Sequence, residues 1–481
     1  GGAGGGGIRL TVGGRLENNG TIRADGYSGG RYSDTHSAGG GAGGFIHLTV
    51  GELAGSGTIS ANGGNGGDPA SGGGGAGGRI AIDYNTNNHA DTISAYGGTG
   101  KQNGAAGSIY VKSNTSSEGQ VIFDNNGNSG ATAEVSGILP DVLIRNQAVV
   151  EAVDELTVSD CTIENAFFYA NSKSLAENAT ISANGVLTHS SNSDSQNYII
   201  DMAVSGNVTI ENGGLIDVNG RGYATDQGPG KGASGSGGGG GGGHGGNGGN
   251  GTSGAGGSGY DSVVDPSQMG SGGGKSTGTN VAGGVGGGGI RLTVGGRLEN
   301  NGSIQAGGNN GLRYNASYSG GGGAGGFIHL TVGELAGSGT ISANGGNGGD
   351  PASGGGAASG RIALFYTDKH PTTTYNIANI TVTGGDGKQD GQSGSIYIPE
   401  VANPVITTHD GIDFSTDIAD MTLEGTCLPD AALILINGTS DGVNHTPGDS
   451  AWSYSVTLAE GINTFTRPSP KMLREIKAGP P

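Results

Sequence analysis

The chain has 481 residues, 111 of them glycine, with a net charge of −19 and a pI near 4.7. An acidic chain with no basic stripe excludes nucleic-acid binding, which needs a positive footprint. Glycines that keep no three-residue frame exclude collagen, and the 32% of residues that are apolar recur too regularly for a disordered chain.

Residues 1–112 alternate apolar and polar positions in IRLTV (8–12), FIHLTV (45–50), RIAI (79–82) and SIYV (108–111). That period of two predicts half-buried strands. A second series, GTIRADG (20–26), GTISANG (57–63) and DTISAYG (91–97), runs alongside, and each member ends at a glycine turn. Strands that return at near-constant spacing with one side inward are what a parallel β-solenoid requires, with coils stacked about 4.8 Å apart. The segment is expected to be a glycine-rich repeat.

Residues 113–282 continue the pattern with tighter coils, EVSGILPDVLIRN, ELTVSDCTIENAFFYAN, NATISANGVLTHS and NVTIENGGLIDVNG. They then enter a long glycine-rich excursion, densest at 237–259. Such a run is either flexible linker or packed glycine strands in a polyproline-II-like conformation. The runs lead directly into strands, as in GGGGIRLTV, so packing against the solenoid is expected.

Residues 283–398 are a second copy of the first segment. The block 39–74 returns letter for letter at 321–356, outward-facing positions included, as expected of a recent duplication of a stackable unit. From 399 to 466 the composition shifts to short strands with frequent turn signals and the sole Trp, which predicts a β-sandwich that lacks its last strand. The tail 467–481 is basic, and its pattern suggests a helix. The expected fold class is therefore all-β, a parallel β-helix (solenoid) with packed glycine-rich excursions followed by an Ig-like β-sandwich.

The two cysteines, Cys161 and Cys427, fall in different expected domains and read as small buried hydrophobes rather than as a disulfide or metal site. No run approaches the roughly 18 apolar residues of a membrane span. The chain opens on Gly1 without Met or a secretory signal, and a mature or truncated piece is expected.

The stretch from ENGGLIDVNGRGY through GGGGHGGNGG to GGIRLTVGGRLENNGSIQAGG (211–308) resembles glycine-rich repeat regions of large bacterial surface and secreted proteins. GTCLPDAALILINGTSDG and WSYSVTLAEGINTF, within 404–465, resemble a bacterial Ig-like module. The resemblance implies a secreted or cell-surface location and brings no catalytic residue with it.

Several groups could carry chemistry. GGNGGD at 63–68 and 345–350 matches the start of a calcium nonapeptide, making Asp68 and Asp350 candidate Ca²⁺ ligands, although consecutive repeats are missing. No cofactor is required by the sequence, and calcium is the one that it suggests. Arg31-Tyr32 and Arg313-Tyr314 recur in the variable loops, near Tyr27 and Tyr318, where Tyr faces could stack on sugar rings and Arg could donate planar hydrogen bonds. Tyr223 and Tyr260 are further candidate sugar contacts. His47 and His329 sit at outward strand positions and read as solvated. The functional expectation is an extracellular structural or adhesive protein that contacts polysaccharide and could self-associate. The alternative is a secreted glycoside hydrolase or polysaccharide lyase in which Asp217, Asp226 and His244 act, since hydrolysis needs two flanking carboxyls.

Overall fold

The computed structural model describes residues 1–33, 35–67, 71–90, 93–350, 352–366, 375–399, 405–408, 415–416, 418–426, 442–446, 451–459, 461–465 and 474–478. There are two compact units, Gly1–Ile398 and Pro399–Pro481, and no α-helix among the described residues.

The first unit is built around a 21-stranded sheet. Among the described residues every pairing in it is parallel except that of Ser108–Ser113 with Gln120–Asp124. The register follows the alternation of the sequence. Ile8 pairs with Ile46, Ile46 with Ile80, and Ile80 with Ile109; Leu10, Leu48, Ile82 and Val111 form the adjacent line. Because side chains alternate across a strand, keeping parity from one strand to the next keeps each isoleucine on the buried side. From the middle segment into the second copy the lines are Ile200–Ile290–Ile328–Ile362 and Ile216–Ile304–Ile341–Ile380. Each fully buried Ile or Leu contributes on the order of 1.5–3 kcal/mol.

These residues form two apolar clusters, one within the first copy and one running through the middle segment and the second copy. In both copies the register slips between Val12 and Arg15 or between Val294 and Arg297, where the chain reads Gly-Gly. A local irregularity of this kind bends a strand and is easiest where no Cβ is present.

The glycine runs form a hydrogen-bonded layer of their own. The Gly2 amide donates to Gly39 O and the Gly5 amide to Ala42 O; one run further on, Gly40 donates to Gly73 O and Gly43 to Ala76 O. Donors spaced by three mark segments with three residues per turn, which bond to neighbours rather than internally. A Cβ on Gly41 would stand 2.0 Å from Ala3 O, on Gly75 2.1 Å from Gly41 O, and on Gly104 1.9 Å from Gly75 O. No side chain fits between backbones that close. The excursion joins the same layer, with Gly239 donating to Ser319 O, Gly242 to Gly322 O and Gly249 to Gly356 O.

In the second unit Asp420–Thr426 pairs antiparallel with Ala451–Thr457, which also carries Val443–Asn444, while Val405–Ile406 lies on the other edge. Leu423, Trp452 and Leu458 are buried there. The tail departs from expectation: Arg474–Ala478 is a strand, antiparallel to Gly461–Phe465, rather than a helix. An unpaired strand offers a row of backbone groups, and pairing with it overrides the weak helical preference of five residues. Cys427 and most of the tail lie outside the described residues.

Candidate functional site

A hollow of about 520 Å³ opens on the surface of the first copy. It is lined by Thr21, Arg23 and Asp25 from one strand and its following turn, Thr58, Ser60 and Asn62 from the next, and Ile93, Ser94 and Tyr96 from a third. The parallel register Thr21–Thr58, Ile22–Ile59 and Arg23–Ser60 fixes this arrangement: Ile22 and Ile59 turn inward, so the residues either side of them turn outward. A second hollow of about 400 Å³ adjoins it, shares Arg23 and Asp25, and adds Tyr27 and Ser28.

Hydrogen bonds tie the groove across the strands. Asp25 Oδ1 accepts from the Asn62 amide at 2.6 Å and Oδ2 from Ser60 Oγ at 3.1 Å, with Arg23 Nε 3.8 Å away. Asn62 in turn donates to Ser94 Oγ at 3.0 Å and accepts from the Tyr96 amide at 2.7 Å. Burial, and then the charge of Asp124, hold the Tyr96 phenol above its ordinary pKa, so it remains a neutral donor. Tyr27 is 69% exposed. The site offers hydroxyl, amide, carboxylate and guanidinium groups beside an open aromatic face, a set suited to polyhydroxyl ligands.

The other expected contacts are more scattered. Tyr32 and Tyr314 stand on short hairpins, Arg31–Ser33 with His36–Ser37 and Arg313–Asn315 with Tyr318–Ser319, and both tyrosines are well exposed. Arg313 Nε lies 2.8 Å from Asp350 Oδ2, and the Ala352 amide donates to Asp350 Oδ1. That carboxylate is thus engaged by a guanidinium and closes a turn, and a calcium ion there would have to displace the arginine. Asp68, its counterpart, lies outside the described residues.

The middle-segment candidates occupy separate places. Asp217 lies on Leu215–Asp217 and accepts from the Asn219 amide. Asp226, at φ +61°, accepts from Ser234 Oγ at 2.6 Å and sits 3.0 Å from Lys275 Nζ. Neither hydrogen-bonds His244. His244 is fully enclosed: Nδ1 faces Gly325 O at 2.7 Å, Nε2 faces Asp261 Oδ2 at 3.2 Å, and its ring lies 4.8 Å from that of Tyr260. Tyr260 donates to Met269 O and approaches Ser271 Oγ at 2.8 Å, and burial pushes its phenol far up. Burial raises the Asp261 carboxyl, but the bonds from His244 and from the Gln268 and Ser262 amides outweigh it and hold the group below the usual range. Tyr223 is half-buried against Gly228, and burial raises its phenol too. This cluster pins the excursion to the glycine layer, and its buried ring nitrogens face protein acceptors.

Sequence reasoning missed the asparagines. Asn62, Asn65, Asn178, Asn207, Asn310 and Asn344 each accept, through Oδ1, an amide from the next stretch of the stack. The repeated SANGGNGG at 60–67 and 342–349 was the available signal. The histidines need correction as well. His47 Nε2 lies 3.3 Å from Asp83 Oδ2, and His329 is 8% exposed, 5.2 Å from the Phe365 ring. His329 Nδ1 also comes within 3.1 Å of Asp265 Oδ1, without the alignment of a hydrogen bond. Identical FIHLTV strands thus place their histidines differently, because Asp83 of the first copy is Phe365 in the second and the excursion supplies Asp265.

Compared with known proteins, the chain matches no family model, no curated protein and no solved structure.

Proposed function

We propose that the chain is an extracellular structural or adhesive protein of a bacterial surface, a parallel β-helix carrying an Ig-like module, whose groove lies against cell-surface or matrix polysaccharide. The observation that carries this reading is the groove itself, where three successive strands present Thr, Ser, Asn, Arg and Asp side chains in register beside Tyr27 and Tyr96. An open trough that mixes hydroxyl, amide, carboxylate and guanidinium groups with apolar surface suits a sugar chain, which has both hydroxyls and apolar ring faces. The parallel register of the large sheet supports the β-helix, and the antiparallel sheet around Trp452 supports the Ig-like module. The glycine layer adds a stiff scaffold on which such a groove keeps its shape.

The test is binding to a panel of immobilised polysaccharides, with release of new reducing ends and unsaturated products followed in the same samples. Retention on at least one glycan is expected, and Arg23→Ala with Tyr27→Ala should weaken it at least tenfold while the melting temperature holds. Retention that those changes leave intact would remove the groove from the reading. Product that disappears in Asp217→Asn or Asp226→Asn protein would replace it with the hydrolase or lyase alternative.

A further inference from the structure

The duplication supplies an internal control. GGGGIRLTVGGRLENNG occurs at 4–20 and 286–302 with every residue the same, yet only the second is covered on both sides. Strand Gly289–Asn300 pairs with Phe327–Ala336 on one side and with Ile200–Val204 and Val208–Ile210 on the other. Among the described residues, strand Gly7–Glu17 pairs only with Phe45–Gly55. Ile290, Leu292, Val294, Leu298 and Ile304 are accordingly at most 2% exposed, whereas Leu10 is 39% exposed, and Phe45 is 53% exposed where Phe327 is buried.

The glycines record the same difference atom by atom. A Cβ on Gly288 would come within 2.3 Å of His189 Nε2, on Gly295 within 2.4 Å of Ser205 O, on Gly296 within 2.5 Å of Asn207 Oδ1, and on Gly302 within 2.1 Å of Gly214 O. At Gly6, Gly13, Gly14 and Gly20 it would meet nothing within 4 Å. Backbone acceptors differ likewise. Gly284 O and Gly287 O accept from the Gly273 and Gly270 amides, while the carbonyls of their counterparts Gly2 and Gly5 accept nothing among the described residues.

We propose that the edge formed by Gly7–Glu17 and Thr21–Arg23 is a docking site for one more β-coil, parallel to it and of the same chemistry as residues 198–218. The covered copy specifies the occupant. Three aliphatic side chains at alternate positions stand where Ile200, Met202 and Val204 face Ile290, Leu292 and Val294. An acid lies between the first two, where Asp201 is in register with Arg291, although Arg291 itself pairs with Asp265 at 3.1 Å. An asparagine follows at the corner, as Asn207 accepts the Arg297 amide. An edge of this kind binds by adding a strand, main-chain bonds giving affinity and alternate side chains giving selectivity.

The experiment uses the full chain and a fluorescent peptide of residues 198–218, with hydrogen exchange read at amides 8–16. Saturable binding is expected, with at least tenfold slower exchange at those amides. The peptide variant Met202→Lys and the chain variant Leu10→Lys should each lose at least tenfold in affinity. Gly13→Ala/Gly14→Ala is the second variant. It adds methyls in open space, so folding survives, yet it should block docking, because the same methyls in the second copy would strike Ser205 and Asn207. Absence of binding, or binding that neither chain variant weakens, overturns the proposal. So does a chain that dimerises without peptide and already protects amides 8–16, since a second copy would then be the occupant.

Discussion

His189 Nε2 accepts a hydrogen bond from the Gly289 amide at 3.2 Å, one hundred positions further along the chain, while Nδ1 faces Ser190 O at 2.8 Å. One nitrogen must accept and the other donate, so the ring is held as a single neutral tautomer. Burial lowers its pKa to about 4, opposed by the bond to the Ser190 carbonyl and helped by a smaller contribution from the charge of Arg221.

A pH dependence follows. The unfolded chain takes up this proton near 6.5 and the folded chain only near 4, so the stabilisation is complete above 6.5 and drains away as pH falls toward 4. The loss attributable to this ring is about 3 kcal/mol. Urea unfolding of wild type and His189→Gln at pH 7.5 and pH 4.5 measures it: the pH effect should shrink in the variant, and an equal loss in both proteins would assign it elsewhere.

The twin glycines predict opposite outcomes for one substitution. Gly288→Ala places a methyl against His189 and Val218 and should destabilise by about 1–3 kcal/mol. Gly6→Ala, in the same local sequence, should be neutral or stabilise by up to about 1 kcal/mol through the unfolded chain. Equal denaturant midpoints for the two variants would mean that neighbouring strands cover these sites alike.

Asn125 is fully buried and accepts from the Gly97 amide at 2.7 Å while donating to Gly104 O and Asn128 O. Asn125→Ala strands the Gly97 donor, at a cost of roughly 1–3 kcal/mol. Exchange at Gly97 should accelerate by an order of magnitude or more, and unchanged exchange would show that the bond contributes little.

Arg313 occupies the Asp350 carboxylate, so added Ca²⁺ should leave the unfolding midpoint of the wild-type chain in place. Arg313→Ala should cost about 1 kcal/mol or less, since the guanidinium is largely exposed. A calcium-dependent rise in the wild-type midpoint would restore Asp350 as a metal ligand.

The strands were readable because their signal is local. Ile8, Leu10 and Val12 alternate within five residues, and the same spacing at 46–50 and 290–294 carries the register with it. The all-β character of the chain and its parallel strands follow from that alternation. The groove was not readable in the same way. Arg23, Ser60 and Tyr96 meet only through stacking, and each looks like an ordinary polar residue in its own segment. His244 and Asp261 are 17 positions apart with glycines between them, so nothing periodic links the two. The tail misled because a few helix-favouring residues weigh less than an available strand edge.

The glycine layer also shapes how the molecule responds to temperature. Its contacts are peptide against peptide, so unfolding it hydrates amides and carbonyls with almost no apolar surface. Newly exposed polar surface lowers the heat capacity of the unfolded chain, and apolar surface raises it. The heat-capacity increment on unfolding should therefore fall below the roughly 12–15 cal/mol/K per residue of ordinary globular domains. A smaller increment broadens the stability curve, and scanning calorimetry should find a chain whose stability changes little between cold and warm surroundings.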